Sequence, residues 1–289
     1  MQVVRSRSVK IASHLPGDVF RTRSVTAWMG LTLVGVAVLL ALLAPLLSPH
    51  DFTLQNLSVA LRPPFWMDGA SSGYVLGTDH LGRDMLSRLV FGARTSLLVG
   101  IGAVAIAGAM GVSLGLLAGF VGGAVDEVIM RCADVQLAFP PVLLAVSILA
   151  VAGHSLFNVV VVLGILTWVQ YARVVRGSVL SVREREFVVA ARVVGASGLR
   201  IAWRHILPNV LPTVLVIATV NVSSMILAEA SLSFLGIGIE PPTPAWGTML
   251  NEGRDVFRTA WWNAVFPGLA ITLTVLGINL VGDHLVARR

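Results

Sequence analysis

The chain has 289 residues, of which 56% are hydrophobic and only 12% charged, with a mean hydropathy of +0.84. Soluble domains carry about 25% charge, so this composition excludes an ordinary soluble globule and points to a polytopic membrane protein. The formal charge of +6 rests on arginines and the single lysine Lys10, and is read as charge that orients helices in a bilayer, not as a nucleic-acid footprint. The lone Cys132 excludes an intrachain disulfide and a Cys-rich metal site.

Residues 1–26 read as a basic tail, with Arg5, Arg7, Lys10, Arg21 and Arg23 opposed only by Asp18. No small-residue cleavage site follows a short apolar core, so the first apolar segment, Ala27–Leu47, is expected to be a retained helix. A long loop, Ser48–Ser96, comes next and contains the run LGTDHLGRDMLSRL. From Asp84 the pattern predicts an amphipathic helix with Met85, Leu86, Leu89, Val90 and Leu97 on one side. Asp79 suits a helix N-cap and Asp84 can pair with Arg83 or Arg88, which accounts for these acids without a metal ion.

Three further apolar segments follow, Leu97–Val121, Val135–Gly153 and Leu156–Ala172. Each has the length a helix needs to cross about 30 Å of hydrocarbon at 1.5 Å per residue. In the first of them Ala103, Ala107, Gly111, Gly115 and Gly119 recur every four residues and form a ridge of small side chains, expected to serve tight packing within the chain.

The connection 173–209 is strongly basic, with Arg173, Arg176, Arg183, Arg185, Arg192, Arg200 and Arg204. A short helix is predicted over Glu186–Val194, stopped by Gly195 in a left-handed conformation. A second is predicted over Leu199–Leu207, ended by Pro208. The small residues Ala190, Ala191 and Ala196 would let this segment seat in a groove, and the arginines would meet acidic rims. Taken alone, the pattern suits a protein groove or an anionic lipid surface.

The fifth apolar segment is Val210–Ala228 and the sixth Ala264–Gly282. Asn221 and Glu229 are candidates for lining a translocation path, and both could equally serve helix-to-helix hydrogen bonding, as could Asn279. In the intervening loop, Ser233–Asn263, Pro241, Pro242 and Pro244 prohibit a regular helix, and Trp246, Trp261 and Trp262 suit an interfacial belt. With six spans, the basic tail, the connection 173–209 and the terminal Arg288 and Arg289 share one side, which the positive-inside rule makes cytoplasmic.

Three stretches resemble one known family. Val189-Ala190-Ala191, then Gly195, then Ile206-Leu207-Pro208 resemble the loop by which permease subunits of ATP-binding-cassette importers grip their ATPases, with Val189 where the pattern has Glu. The run carrying Gly77, Thr78, Asp79, Gly82, Arg83 and Asp84 is similar to the segment before the second span in C-type permease subunits of dipeptide, oligopeptide and nickel importers. Glu229 to Trp246, EASLSFLGIGIEPPTPAW, resembles the end of span five and the outer loop of the same subunits.

The resemblance implies an all-α fold of the type I importer permease class, with six transmembrane helices and both termini cytoplasmic. Residues 1–26 would be a cytoplasmic tail and 27–289 the permease domain, in a bacterial cell membrane. It implies an ATPase-coupling loop that includes Val189, Ala190, Ala191, Arg192, Gly195, Ala196, Ile206, Leu207 and Pro208. The implied partners are a second, homologous permease subunit, two cytoplasmic ATPase subunits and an extracytoplasmic, often lipid-anchored binding protein. The implied cargo is a peptide, with nickel disfavoured because the spans hold no His-rich set. The chain has no G-x-x-x-x-G-K-[ST] loop, so no nucleotide or other cofactor is expected on it and it is not expected to be an enzyme. The rival from another class is an ion-coupled secondary transporter, which would leave the basic connection unexplained.

Overall fold

The computed structural model describes residues 16–287, all helix and loop apart from one isolated bridge between Thr78 and Asp84. Arg5, Arg7, Lys10, Arg288 and Arg289, which carry part of the orientation argument, lie outside the described residues. Among the described residues five helices are long and apolar enough to cross a membrane, and six if the bent pair of helices is taken as one span.

Helix α1 (Pro16–Leu42) begins inside the expected tail, so residues 16–26 of that tail and the first span are one helix. A single turn, α2 (Ala44–Leu47), leads into a loop whose one regular element is the 3-10 turn Leu57–Val59. Helix α3 (Met85–Val121) fuses the amphipathic segment with the second span. Its 37 residues make about 55 Å, well over the hydrocarbon thickness, so it projects beyond the bilayer.

The third segment departs from expectation. A continuous helix over Val135–Gly153 is predicted, yet α4 (Gly123–Leu137) and α5 (Pro141–Ala152) meet at 88°. Pro140 and Pro141 explain the break, because a residue before proline is driven out of the helical region, and Pro140 itself sits at φ −58°, ψ 125°. Helix α4 is polar and tied to its neighbour. Asp126 accepts from Arg176 at 2.5 and 2.6 Å, Asp134 from Arg173 at 2.6 Å, and Gln136 bridges the Trp168 indole and the Leu166 carbonyl, each at 2.8 Å.

Helix α6 (Leu156–Val182) starts on a Ser155 cap and runs past the expected end at Ala172, since no breaker intervenes and Arg173 and Arg176 are held by α4. The ridge of small residues on α3 faces α6. A Cβ on Gly111 would stand 2.5 Å from the Trp168 carbonyl oxygen, and one on Gly115 2.6 Å from that of Ala172, so only glycine permits this approach. The ridge thus serves packing within the chain, as expected.

Helix α7 (Glu186–Val193) and the turn α8 (Gly198–Ile201) precede a π-turn over Ala202–Ile206, which passes directly into α9 (Leu207–Phe234). Pro208 therefore does not end a helix. The widened turn, in which Leu207 N–H donates to the Ala202 carbonyl, makes room for a residue with no N–H and a bulky ring, and the chain continues. Helices α10 (Trp246–Asp255) and α11 (Trp262–Ala287) complete the bundle.

His154, after α5, meets the Ile237 carbonyl beyond α9, and Arg183, after α6, donates to Gly119 near the end of α3. The bent pair thus carries the chain from one end of the bundle to the other. Both described chain ends and α7 lie at one end, called here the α7 end. The long first loop and α10 lie at the other, the loop end. The main core sits between α3, α6 and α9, and a second cluster joins α1, α3, α10 and α11.

Candidate functional site

At the loop end, Gly77–Asp84 folds into a compact polar knot. Asp84 rather than Asp79 caps α3, its side chain accepting from the Ser87 N–H at 3.0 Å. Asp79 instead accepts from the backbone N–H groups of Leu81 and Arg83 at 2.8 and 2.9 Å, from Arg83 Nε at 2.6 Å, and from Arg88 Nη1. The two acids exchange the roles expected of them. Only a carboxylate at Asp79 sits where a turn and both guanidiniums converge, whereas Asp84 alone precedes the helix. Gly82, at φ +73°, closes the turn against the Asn56 backbone; a Cβ there would fall 1.8 Å from the Asn56 carbonyl oxygen.

The knot is completed by a residue that the sequence did not single out. Glu252 on α10 accepts from Arg83 Nη2 at 3.0 Å and from Arg88 Nη1 at 2.6 Å, so two buried arginines link two acids far apart in the chain. Burial pushes the Asp79 carboxyl up, but Arg88, Arg83 and the Arg83 amide outweigh it and hold it below the usual carboxylate range. Ligand atoms of Asp79, His80 and Glu252 lie within 4.8 Å of one another, yet both carboxylates are already neutralised by guanidiniums, which a cation would have to displace.

Thr78 bonds Val59 and Arg62 across the loop, and its carbonyl accepts from the Trp262 indole at 3.1 Å and Asn263 at 3.4 Å. Trp246 is likewise buried and donates to the Leu89 carbonyl at 2.9 Å. Trp246 and Trp262 therefore fasten helices together inside the protein and do not belong to an interfacial belt. Each indole N–H finds a backbone carbonyl inside the protein, that of Leu89 within α3 or of Thr78 in the turn, which draws the ring inward.

Glu229 and Asn221 separate. Glu229 is fully buried, accepting from the Ser233 hydroxyl at 2.7 Å and the Ser96 hydroxyl at 3.4 Å, and Ser233 also receives the Ile239 N–H. This chain of bonds ties the turn after α9 to α3, and Glu229 does not line the cavity that holds Asn221. Asn221 lines a cavity of about 690 Å³ bounded by α5, α6 and α9, whose polar members include Thr167, Gln170, Ser224 and Ser231. Its side chain is buried and interacts with the Tyr171 hydroxyl, itself buried in the packing of α6 on α9. Asn279 accepts from Ser223 at 2.6 Å, bonding α11 to α9.

At the α7 end, Gly195 takes φ +84° and closes α7 with two bonds, Gly195 N–H to Arg192 O and Ala196 N–H to Ala191 O, each at 3.0 Å. Val188 and Ile206 are fully buried, and Ala191 and Ala196 pack against the main core. These two alanines therefore seat the segment on its own bundle and are not offered outward; only Ala190 of the three is exposed. The outward face is Val189, Val193, Val194, Leu199 and Trp203, with Val193 81% and Val194 87% exposed, flanked by exposed Arg192, Arg200, Arg204 and Pro208. Leu207 is half-buried.

Residues 111–288 match the family described as binding-protein-dependent transport system inner membrane component, and residues 22–64 match the N-terminal TM domain of oligopeptide transport permease C. The di/tripeptide transport system permease protein DppC of Pseudomonas aeruginosa (strain UCBPP-PA14) is 46% identical over 256 residues, covering 89% of this chain and 84% of that protein. The dipeptide transport system permease protein DppC of Escherichia coli (strain K12) is 44% identical, covering 91% and 88%. The oligopeptide transport system permease protein OppC of Bacillus subtilis (strain 168) is 37% identical, covering 92% and 85%. Among solved structures, a chain of the MetNI methionine ABC transporter in an inward-facing conformation superimposes with a TM-score of 0.59 at 18% identity, over 71% of this chain and 97% of that one.

Proposed function

The chain belongs to the family of binding-protein-dependent transport system inner membrane components, and from that membership we propose that it is a permease subunit of an ATP-driven importer for di- and oligopeptides. It forms half of the translocation path beside a second, homologous permease subunit. Two cytoplasmic ATPase subunits drive it, and an extracytoplasmic binding protein delivers the peptide. The α7 end is the cytoplasmic one, in keeping with its arginines.

The observation that carries this reading is the outward face of α7 and the π-turn. Five apolar side chains exposed at a charged end of the bundle need a cover, and the arginines around them match an acidic rim on a soluble subunit. Where the family pattern has Glu, Val189 adds to the apolar knob, so the grip combines apolar contact with arginine pairing. Closure of the ATPase dimer pushes on α7, whose inward residues Val188, Ala191 and Ile206 are part of the core, and the push reaches the spans through that packing.

The cavity bounded by α5, α6 and α9 is this chain's half of the path. Exposed Gln170 in its lining offers amide hydrogen bonds to a passing peptide, while the apolar lining keeps binding weak. Glu229 has a structural role. Glu229→Gln keeps the Ser233 bond on its carbonyl oxygen and can donate its amide to the Ser96 hydroxyl, and is expected to leave assembly and uptake close to wild type. Glu229→Ala strands two buried hydroxyls and should lose about 1–3 kcal/mol of stability, seen as less assembled complex. Reduced uptake by a fully assembled Gln variant would return Glu229 to the path.

The test of the whole reading is uptake of a labelled dipeptide by proteoliposomes holding the complete complex and its binding protein. Uptake is expected to require ATP and the binding protein. Proton-gradient-driven uptake by this chain alone would overturn it in favour of a secondary transporter.

A further inference from the structure

We propose that the Phe65–Trp66 tip of the first loop is a membrane anchor, seated at the headgroup boundary beside the loop end of α11. Phe65 and Trp66 are 66% and 51% exposed and stand edge-on to each other at 5.1 Å. Trp66 rests on Phe266 at 6.2 Å, and Phe266 on Trp261 at 5.8 Å. Phe266 heads a stripe of α11 that continues through exposed Leu269, Leu273 and Leu276, three, seven and ten residues further on.

That stripe faces lipid. Its exposed polar neighbour, Thr272, returns its hydroxyl to the Gly268 carbonyl at 2.8 Å, whereas the cavity bounded by α5, α6 and α9 presents Asn, Gln and Ser side chains. An aromatic pair at the top of a lipid-facing stripe lies where hydrocarbon gives way to headgroups, the position that suits an indole with an apolar ring and a wet N–H. The indole bonds sort the tryptophans. Trp246 and Trp262 donate to carbonyls inside the protein, while Trp66 makes no hydrogen bond among the described residues and keeps its N–H for water or a lipid headgroup. Exposed Arg62, in no ion pair among the described residues, stands four residues earlier and can reach lipid phosphates.

The anchor gives the first loop two fixed points, the Asp79 knot on α10 and the bilayer itself, so the loop is held at a set height above the membrane. It does not depend on which leaflet the loop end faces, nor on the cargo, and stands or falls apart from the importer reading.

The experiment compares the assembled complex with its Trp66→Phe variant in bilayers of lipids brominated near the headgroup or deep in the acyl chain, and with aqueous iodide. Phenylalanine keeps the packing on Phe266, so the difference in fluorescence belongs to Trp66. That component is expected to be quenched most by shallow bromines. Quenching by iodide alone would place Trp66 in water, and quenching by neither would place it under a protein partner; either result overturns the anchor.

Discussion

Asp79→Ala is expected to destabilise the folded subunit by about 3–5 kcal/mol, because it leaves two buried guanidiniums facing a single remaining carboxylate. Two turn amides, those of Leu81 and Arg83, lose their acceptor in the same step. Glu252→Gln should cost clearly less, since the Glu252 side chain keeps 18% exposure and both arginines retain Asp79. Thermal unfolding of the purified complex, read together with its yield from membranes, measures the order of the two variants. An Asp79→Ala subunit as stable as the wild type would show that the knot is not what fastens the first loop. The pH dependence has a definite sign. Asp79 is held below its ordinary 3.8, so its contribution is complete above pH 3.8 and is lost only as pH falls through the lower folded value. Mild acidification is expected to leave the knot intact.

How much of this was legible in the sequence depends on the range over which each device acts. The spans and the left-handed stop at Gly195 are local, set by apolar runs and by one residue without a Cβ, and could be read directly. The small-residue ridge on α3 announced close packing, though not that α6 would fill it. The break between α4 and α5 was also local, written in Phe139-Pro140-Pro141, but the apolar run around it masked the signal. Pro208 shows the converse. A helix breaker was present and the chain stayed helical, because a π-turn absorbed the missing donor and the core on either side held α9 in place.

The polar sites were less legible for a different reason. The acids and arginines of the Gly77–Asp84 run were visible, but their partners were not, since Glu252 and Asn263 arrive from elements far along the chain and no local pattern couples them. The exchange of roles between Asp79 and Asp84 followed from that missing information. With Arg88 and Glu252 in place Asp79 is the centre of a buried network, and the cap falls to the acid nearest the helix. Glu229 likewise stood evenly between path lining and helix bonding, because its partners Ser96 and Ser233 belong to no local pattern that couples them.

Gly195→Asp is expected to lower peptide uptake at least tenfold, equivalent to about 1.4 kcal/mol or more in coupling, while the subunit still folds and inserts. The expectation rests on two observations. A Cβ at Gly195 meets no atom of this chain within 4 Å, so the fold does not forbid a side chain. The left-handed φ of +84° costs an aspartate about 1–2 kcal/mol at most, a strain borne at the end of a short helix whose inward residues Val188 and Ala191 keep their packing. What the variant changes is the outward face. It sets a carboxylate beside Val193 and Val194, next to arginines that would otherwise meet acidic groups on the ATPase. Repulsion at that rim and desolvation of a new charge act together against docking. Gly195→Ala separates the two contributions: it carries the strain without the charge, and its uptake should fall between wild type and Asp. The readouts are co-purification of the ATPase subunits and the ratio of ATP hydrolysed to peptide taken up. Loss of the ATPases or a raised ratio supports the coupling face, and full uptake by the Asp variant would place the ATPase contact elsewhere on the chain.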